Sequence, residues 1–205
     1  MKVAVLCEVS GRIRDAFRAR GHDVISCDLE PTENPGPHIQ DDCRNHDWSK
    51  YDLIIAHPPC TYLSVVGNRA MKENPNRIYD RFEAFDFFMW CYFLPVEKIC
   101  VENPVGYINT HFRKPDQIIH PYYFEDCEMK RTCLWLRGLP PLINPKQYPL
   151  LIDGKIKKPK PKWKHKIGTK KAGQNVYFTE MNPGKKARSR TFPGIAAAMA
   201  EQWGK

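Results

Sequence analysis

Four apolar residues, Leu53-Ile-Ile-Ala56, run directly into His57-Pro58-Pro59-Cys60. A stretch so short and so apolar reads as a buried strand. Each proline fixes φ and lacks a backbone donor, so the ladder must end at His57. Cys60 is therefore displayed on a stiff turn just past a core strand. A second stretch repeats the design: Val96-Glu-Lys-Ile-Cys-Val101 reads as a strand that delivers Glu102-Asn103-Pro104 at its end. In open α/β sheets, ligands gather beyond the carboxyl ends of the strands. A thiol and a carboxyl group brought to one edge point to covalent catalysis with a proton donor beside the nucleophile.

The N-terminal stretch supplies the other half of such a sheet. Val3 to Cys7 reads as a strand, Glu8 to Gly11 as a turn, and Arg12 to Arg20 as a helix with Ile13, Ala16 and Phe17 on one face. Ser10 is expected to cap that helix and Gly21 to stop it. Asp23 to Cys27 forms the next strand and ends at Asp28. A βαβ unit with an acid at this position suits the ribose hydroxyls of an adenosine cofactor. Glu30 to Pro37 is a proline-rich loop. The segment from Ser64 to Asn76 is expected to be a loop that closes over substrate. Arg77 to Phe93 reads as a long helix whose Ile78, Phe82, Phe85, Met89 and Tyr92 are assigned to the core. Loops are expected from Pro104 to Phe124. Lys130-Arg131-Thr132 then precede a strand, Cys133 to Leu136, and Pro193 starts a C-terminal helix.

At 205 residues and 42% hydrophobic content, the chain is long enough for one domain with a substantial core. No apolar run reaches the ~18–20 residues of a membrane span. The apolar run at the N-terminus is short and is followed at once by Glu8, so it reads as a strand rather than a leader. The eight cysteines form no Cys-x-x-Cys pair, which argues against zinc and suits a reducing cytoplasm. The net charge of +9 favours a polyanionic partner. Much of that charge lies between Asp153 and Arg190, where lysines such as Lys158, Lys160, Lys162 and Lys164 alternate with Trp163, His165, Tyr177 and Phe178 and Glu180 is the single acid inside the interval. Lysines neutralise phosphates and aromatic rings stack on exposed bases.

Pro59-Cys60, followed by a strand ending in Glu102-Asn103, resembles the paired chemical motifs of the DNA (cytosine-5) methyltransferase family. The style of the chain is similar to the small methyltransferase-like proteins of phages, which would place it in a host cytoplasm. The resemblance implies an α/β, Rossmann-like S-adenosylmethionine-dependent methyltransferase fold: a mainly parallel sheet with helices on both faces. Residues 1–205 would form one domain, with 150–190 a basic, DNA-facing insertion. S-adenosylmethionine would lie against Cys7, Glu8, Ser10 and Gly11, with Asp28 on its ribose, Asp42 at its adenine and Pro59 beside them. The turn departs from the family's glycine-rich pattern, keeping only Gly11. The C-terminal helix would fold back beside the first strand.

For the reaction, the resemblance implies that the Cys60 thiolate adds to C6 of cytosine, making C5 nucleophilic. Glu102 would donate a proton to N3, for which it must be protonated or share a proton, and a partly buried site is expected to favour this. Asn103 and Pro104 would shape the base pocket, and Arg131 or its neighbour Lys130 would hold the base carbonyl. In a duplex the base must first flip out. His57 is read as an ordinary turn residue. Two other functions stay open: a pyrimidine-modifying enzyme acting on a free nucleotide, and an inactive DNA-binding protein on the same fold.

Overall fold

The computed structural model describes residues 1–65, 67–126, 130–144, 150–152, 155–157, 166–169, 175–177 and 190–205. Its centre is a seven-stranded sheet. The strands are β1 (Lys2–Leu6), β2 (Asp23–Asp28), β3 (His38–Gln40), β4 (Leu53–Ala56), β5 (Lys98–Pro104), β6 (Gln117–Ile119) and β7 (Thr132–Arg137), in the order β3-β2-β1-β4-β5-β7-β6. Neighbours from β3 to β5 pair in parallel, and β7 runs antiparallel to both β5 and β6. This is the mainly parallel, Rossmann-like arrangement expected from the sequence.

Helices cover both faces: α1 (Arg12–Arg18), α2 (Gly67–Glu73), α3 (Arg77–Tyr92), the single turn α4 (Ile108–His111) and α5 (Pro193–Trp203). The central strands are buried on both sides, so they read as unbroken apolar runs rather than alternating ones. Alternation still sorts their side chains. Val3, Val5, Leu53, Ile55 and Cys100 join Ile13 and Phe17 of α1 and Met199 and Trp203 of α5. Ala4, Leu6, Ile54, Ala56, Ile99 and Val101 point the other way, toward Phe88 and Cys91 of α3. The C-terminal helix therefore packs on α1, beside the first strand, as expected.

The register sets the functional edge. Leu6 pairs with Cys27 and with Ala56, and Ala56 pairs with Val101. The next residue of each strand, Cys7, Asp28, His57 and Glu102, therefore falls in one row across the carboxyl edge. Because β7 is antiparallel, with Pro104 opposite Thr132, its beginning meets the end of β5. Lys130 and Arg131 are carried to the same edge by that reversal.

Several local expectations change. The residue at the start of α1 is Gly11, in the left-handed region at φ 68°, and its helix ends at Arg18. Ser10 shares the capping: its Oγ accepts the Arg12 N–H (3.4 Å), and the carboxylate of Glu8 accepts the N–H groups of Ile13 (2.7 Å) and Arg14 (3.3 Å). A carboxylate reaching back over a helix start satisfies donors that the helix cannot satisfy itself. The supposed loop after Ser64 contains α2. On α3, Phe82 is 49% exposed, whereas Phe88 and Cys91 are fully buried. Aromatic residues populate both faces of this helix, and the one that meets the sheet is set by Phe88 packing edge-on to Trp135. The Pro104–Phe124 stretch holds α4 and the edge strand β6.

Candidate active site

The loop after β4 is fixed from two sides. The His57 N–H donates to the Leu6 carbonyl of β1 (3.0 Å). From β5, the side-chain amide of Asn103, only 1% exposed, donates to the carbonyl of Pro58 (2.8 Å). Glu102 and Asn103 are consecutive in a strand, so they project to opposite faces of the sheet. Glu102 reaches the His57 ring on the α5 face, with His57 Nδ1 and Glu102 Oε2 3.0 Å apart. Asn103 holds the main chain of the next residue on the α3 face. The two halves of the Glu-Asn pair thus grip the start of the Cys60 loop from both sides.

Cys60 is exposed. Its carbonyl accepts the N–H groups of Leu63 (3.1 Å) and Ser64 (3.0 Å), so it heads a tight turn. That turn is held by the chain following β5. Tyr107 N–H donates to the Leu63 carbonyl (2.7 Å), and Ser64 forms a bridge with Gly106. A Cβ added at Gly106 would collide with the Leu63 carbonyl. Arg81 donates through Nε to the Tyr62 carbonyl (2.9 Å), and the Arg77 guanidinium lies 4.7 Å from the centre of the Tyr62 ring.

His57 and Glu102 line a small cleft together with Lys130, Thr132, Thr191, Phe192, Ile195 and Met199. Burial pushes the Glu102 carboxyl up, but the hydrogen bond from His57 and the positive charge of Lys130 outweigh it and hold Glu102 below its ordinary range. That direction favours the carboxylate form over the protonated one. Lys130 lines the cleft, whereas Arg131 is exposed.

The remaining candidates lie along the same edge with partners of their own. Cys7 adopts φ 58°, and its N–H donates to the Cys27 carbonyl (2.7 Å). A hydrogen bond with Cys43 and burial raise its thiol well above the usual range. Glu8 and Ser10 are buried beneath the start of α1. Asp42 forms a 2.6 Å ion pair with Arg44. Asp28 accepts the Glu30 N–H (3.0 Å), and burial raises its carboxyl. Pro59 is exposed beside Cys60. Lys158, Lys160, Lys162 and Lys164 lie outside the described residues, as does most of the basic segment. Among the described residues, no group of three or more His, Cys, Asp or Glu could hold a metal ion, and no helix is long and apolar enough to cross a membrane.

This edge can be tested against S-adenosylmethionine. Asp28 suits a ribose: its half-buried carboxylate has been desolvated with only the backbone donors of Leu29 and Glu30 in return, and a neighbouring pair of hydroxyls would supply more. At the first turn, the acid already serves α1, so the cofactor's other end would meet the backbone around Ser10 and Gly11.

Arg14 is a structural residue that the sequence reading passed over. It is 0% exposed, and its guanidinium donates to Ser26 Oγ (3.2 Å), Thr32 Oγ1 (3.1 Å) and the Asn34 carbonyl (2.8 Å). It fills the space between Gly11 and Gly36, where an added Cβ at either would strike it.

The chain is similar to several solved structures. A DNA modification methyltransferase encoded within an E. coli prophage is 12% identical, with a TM-score of 0.44 over 66% of this chain and 46% of that one. Spodoptera frugiperda DNMT2 is 16% identical, with a TM-score of 0.42 over 66% of this chain and 49% of its own. The S. pombe Dnmt2 methyltransferase is 15% identical, with a TM-score of 0.45 over 69% of this chain and 51% of its own. The matched region is thus about half the length of each neighbour. No protein-family model and no curated protein sequence matches the chain.

Proposed function

We propose that the protein is an S-adenosylmethionine-dependent DNA cytosine-5 methyltransferase that works through a covalent Cys60 adduct. The observation that carries this reading is the double grip on the Cys60 loop: Glu102 on the His57 ring at 3.0 Å and Asn103 on the Pro58 carbonyl at 2.8 Å. A nucleophile and an acid–base group held by one another's strands keep their spacing through the reaction, which is what proximity catalysis needs.

In this mechanism the Cys60 thiolate adds to C6 of an extrahelical cytosine, and the displaced ring electrons move toward N3. The Glu102 carboxyl group meets N3, and the charge of Lys130 faces the electron-rich side of the adduct. Asp28 and the Ser10–Gly11 turn would hold S-adenosylmethionine, which when bound supplies the electrophilic methyl group. After transfer, water takes the C5 proton, the Cys60 sulfur leaves as thiolate, and N3 returns its proton to Glu102, which restores the aromatic ring.

A duplex carrying 5-fluorocytosine tests the reading, because fluorine cannot leave C5 as a proton does and elimination stalls. With S-adenosylmethionine present, intact-mass measurement should show the DNA joined to wild-type protein and not to Cys60→Ser. An adduct on another cysteine would refute the nucleophile. Methylation of deoxycytidine monophosphate without methylation of duplex DNA would favour the nucleotide-level enzyme. Absence of S-adenosylmethionine binding by calorimetry at millimolar concentration would leave the DNA-binding alternative.

A further inference from the structure

Arg77 and Arg81 lie one turn apart on α3, so they share a face of that helix. Both reach Tyr62, two residues past Cys60. The Arg77 guanidinium lies 4.7 Å from the centre of the Tyr62 ring, and Arg81 Nε donates to the Tyr62 carbonyl (2.9 Å). Arg81 goes further. Its Nη2 donates to Asn68 Oδ1 on α2 (2.7 Å), and its guanidinium lies 5.0 Å from the centre of the Tyr107 ring. Tyr107 in turn donates its N–H to the Leu63 carbonyl (2.7 Å). One side chain, 9% exposed, thus joins the Cys60 turn to α2, to α3 and to the chain that follows β5. Burying a charged group is costly even when it is hydrogen-bonded. An apolar side chain would fill the space, but it would not hold a carbonyl, an amide oxygen and a ring at fixed places around the turn.

We infer that Arg81 is a positioning residue for the Cys60 reaction: it acts through the Tyr62 carbonyl and fixes the place of the thiol. The reaction itself rests on the methyltransferase reading; the hold on the turn does not. Within the turn, the Cys60 carbonyl accepts the Leu63 and Ser64 N–H groups. Those bonds shape the turn without placing it against the sheet. Asn103 anchors its start through the Pro58 carbonyl, and the Gly106–Tyr107 stretch anchors its end at Leu63 and Ser64. Arg81 supplies the hold on the span between these anchors. The planar fork matters, because Nε and Nη2 reach two acceptors at once, one on the turn and one on α2. A lysine carries the charge on a single flexible head and does not reproduce that fork. The Gly67 N–H at the start of α2 also donates to the Ser64 carbonyl (3.0 Å), so α2 and the turn are braced against each other. The contribution of Arg81 is geometric: it keeps the sulfur in line with the carbon that it attacks.

The experiment uses the full chain with Arg81→Lys and Asn68→Ala. Adduct formation on the 5-fluorocytosine duplex, with S-adenosylmethionine present, is followed across DNA concentrations. Arg81→Lys should form the adduct about 100-fold more slowly at saturating DNA, the cost of a displacement of about 1 Å. The half-saturating DNA concentration should stay at the wild-type value. Asn68→Ala removes only the α2 arm. It should slow the reaction less, and add nothing in the Arg81→Lys background, since both act through one contact. Alkylation of Cys60 by iodoacetamide needs an exposed thiol but no fixed direction, and it should proceed in both variants at the wild-type rate. A wild-type rate of adduct formation in Arg81→Lys overturns the proposal. So does a loss shared by alkylation and DNA binding, which a general loosening of the fold would produce. The hold is also read without DNA. In Arg81→Lys the Leu63 and Ser64 amide protons should exchange with solvent about tenfold faster or more, while those of Ile55 and Val101 keep their protection. Unchanged exchange at Leu63 and Ser64 overturns the hold. If the wild type forms no adduct, the methyltransferase reading fails, and amide exchange still decides the hold. If Arg81→Lys does not fold, Asn68→Ala decides it by the same measurements.

Discussion

The side chain of Asn103 and the carbonyl of Pro58 meet at 2.8 Å, binding the strand that carries Glu102 to the loop that carries Cys60. Asn103→Ala would leave a buried carbonyl without its donor. We expect a loss of about 1–3 kcal/mol in urea unfolding. Adduct formation at saturating DNA should slow as well, because the loop loses its anchor on the α3 face. Wild-type stability would mean that the carbonyl finds another donor.

Gly106 tests the far side of the same loop. A methyl group there would strike the Leu63 carbonyl and approach Ser64 Cα to 2.9 Å. Gly106→Ala should push the Cys60 turn away from β5. A displacement of about 1 Å is enough to cost roughly 100-fold in rate. Single-turnover trapping on the 5-fluorocytosine duplex measures it, and an unchanged rate would show that the turn yields without moving the thiol.

Acid should destabilise the protein through groups whose carboxyls lie low in the fold. The Glu102 carboxyl is depressed: burial acts upward, and His57 and Lys130 outweigh it. Asp116 behaves likewise, with burial outweighed by its 2.7 Å pair with Arg113. A depressed carboxyl stabilises the fold above its unfolded pKa, and that contribution disappears as pH falls through the folded value. Glu8 has the opposite sign, because burial raises it despite the two N–H groups that it accepts. Its effect therefore erodes stability as pH rises from its unfolded toward its folded value. Denaturation at pH about 6 and about 3 should show a smaller acid loss in Glu102→Gln and a larger one in Glu8→Gln than in wild type. Equal losses in all three would remove these groups from the acid response.

The basic segment makes a separate claim about the partner. Binding to duplex DNA should weaken steeply with salt, since each phosphate contact releases counterions. Replacing Lys158, Lys160, Lys162 and Lys164 together should reduce the log–log slope by up to about 0.9 per lost contact. An unchanged slope would take these lysines out of the interface.

The sequence disclosed the long-range plan of the fold more readily than its local details. Leu53–Ala56 and the run to Val101 are buried on both faces, so their apolar composition marked them as central strands. Proline marked where the first of them stops. β3 and β6 are only three residues long and lie at sheet edges, where neither composition nor period gives a strong signal. At the site, Cys60 and Glu102 were legible because their chemistry is unusual at strand ends. His57 was passed over because its role depends on register. Its place beside Glu102 follows only once Ala56 is known to pair with Val101. The same holds for Arg14, a charge in an otherwise ordinary amphipathic helix until Ser26, Thr32 and Asn34 are seen around it.

That buried guanidinium makes two distant stretches open together. The proline-rich loop after β2 and the start of α1 share one set of hydrogen bonds, so neither can loosen without exposing the charge that the other holds. Their amide protons should accordingly exchange with solvent as one cooperative unit, and the carboxylate of Asp28, at the base of that loop, inherits its rigidity before any ligand arrives.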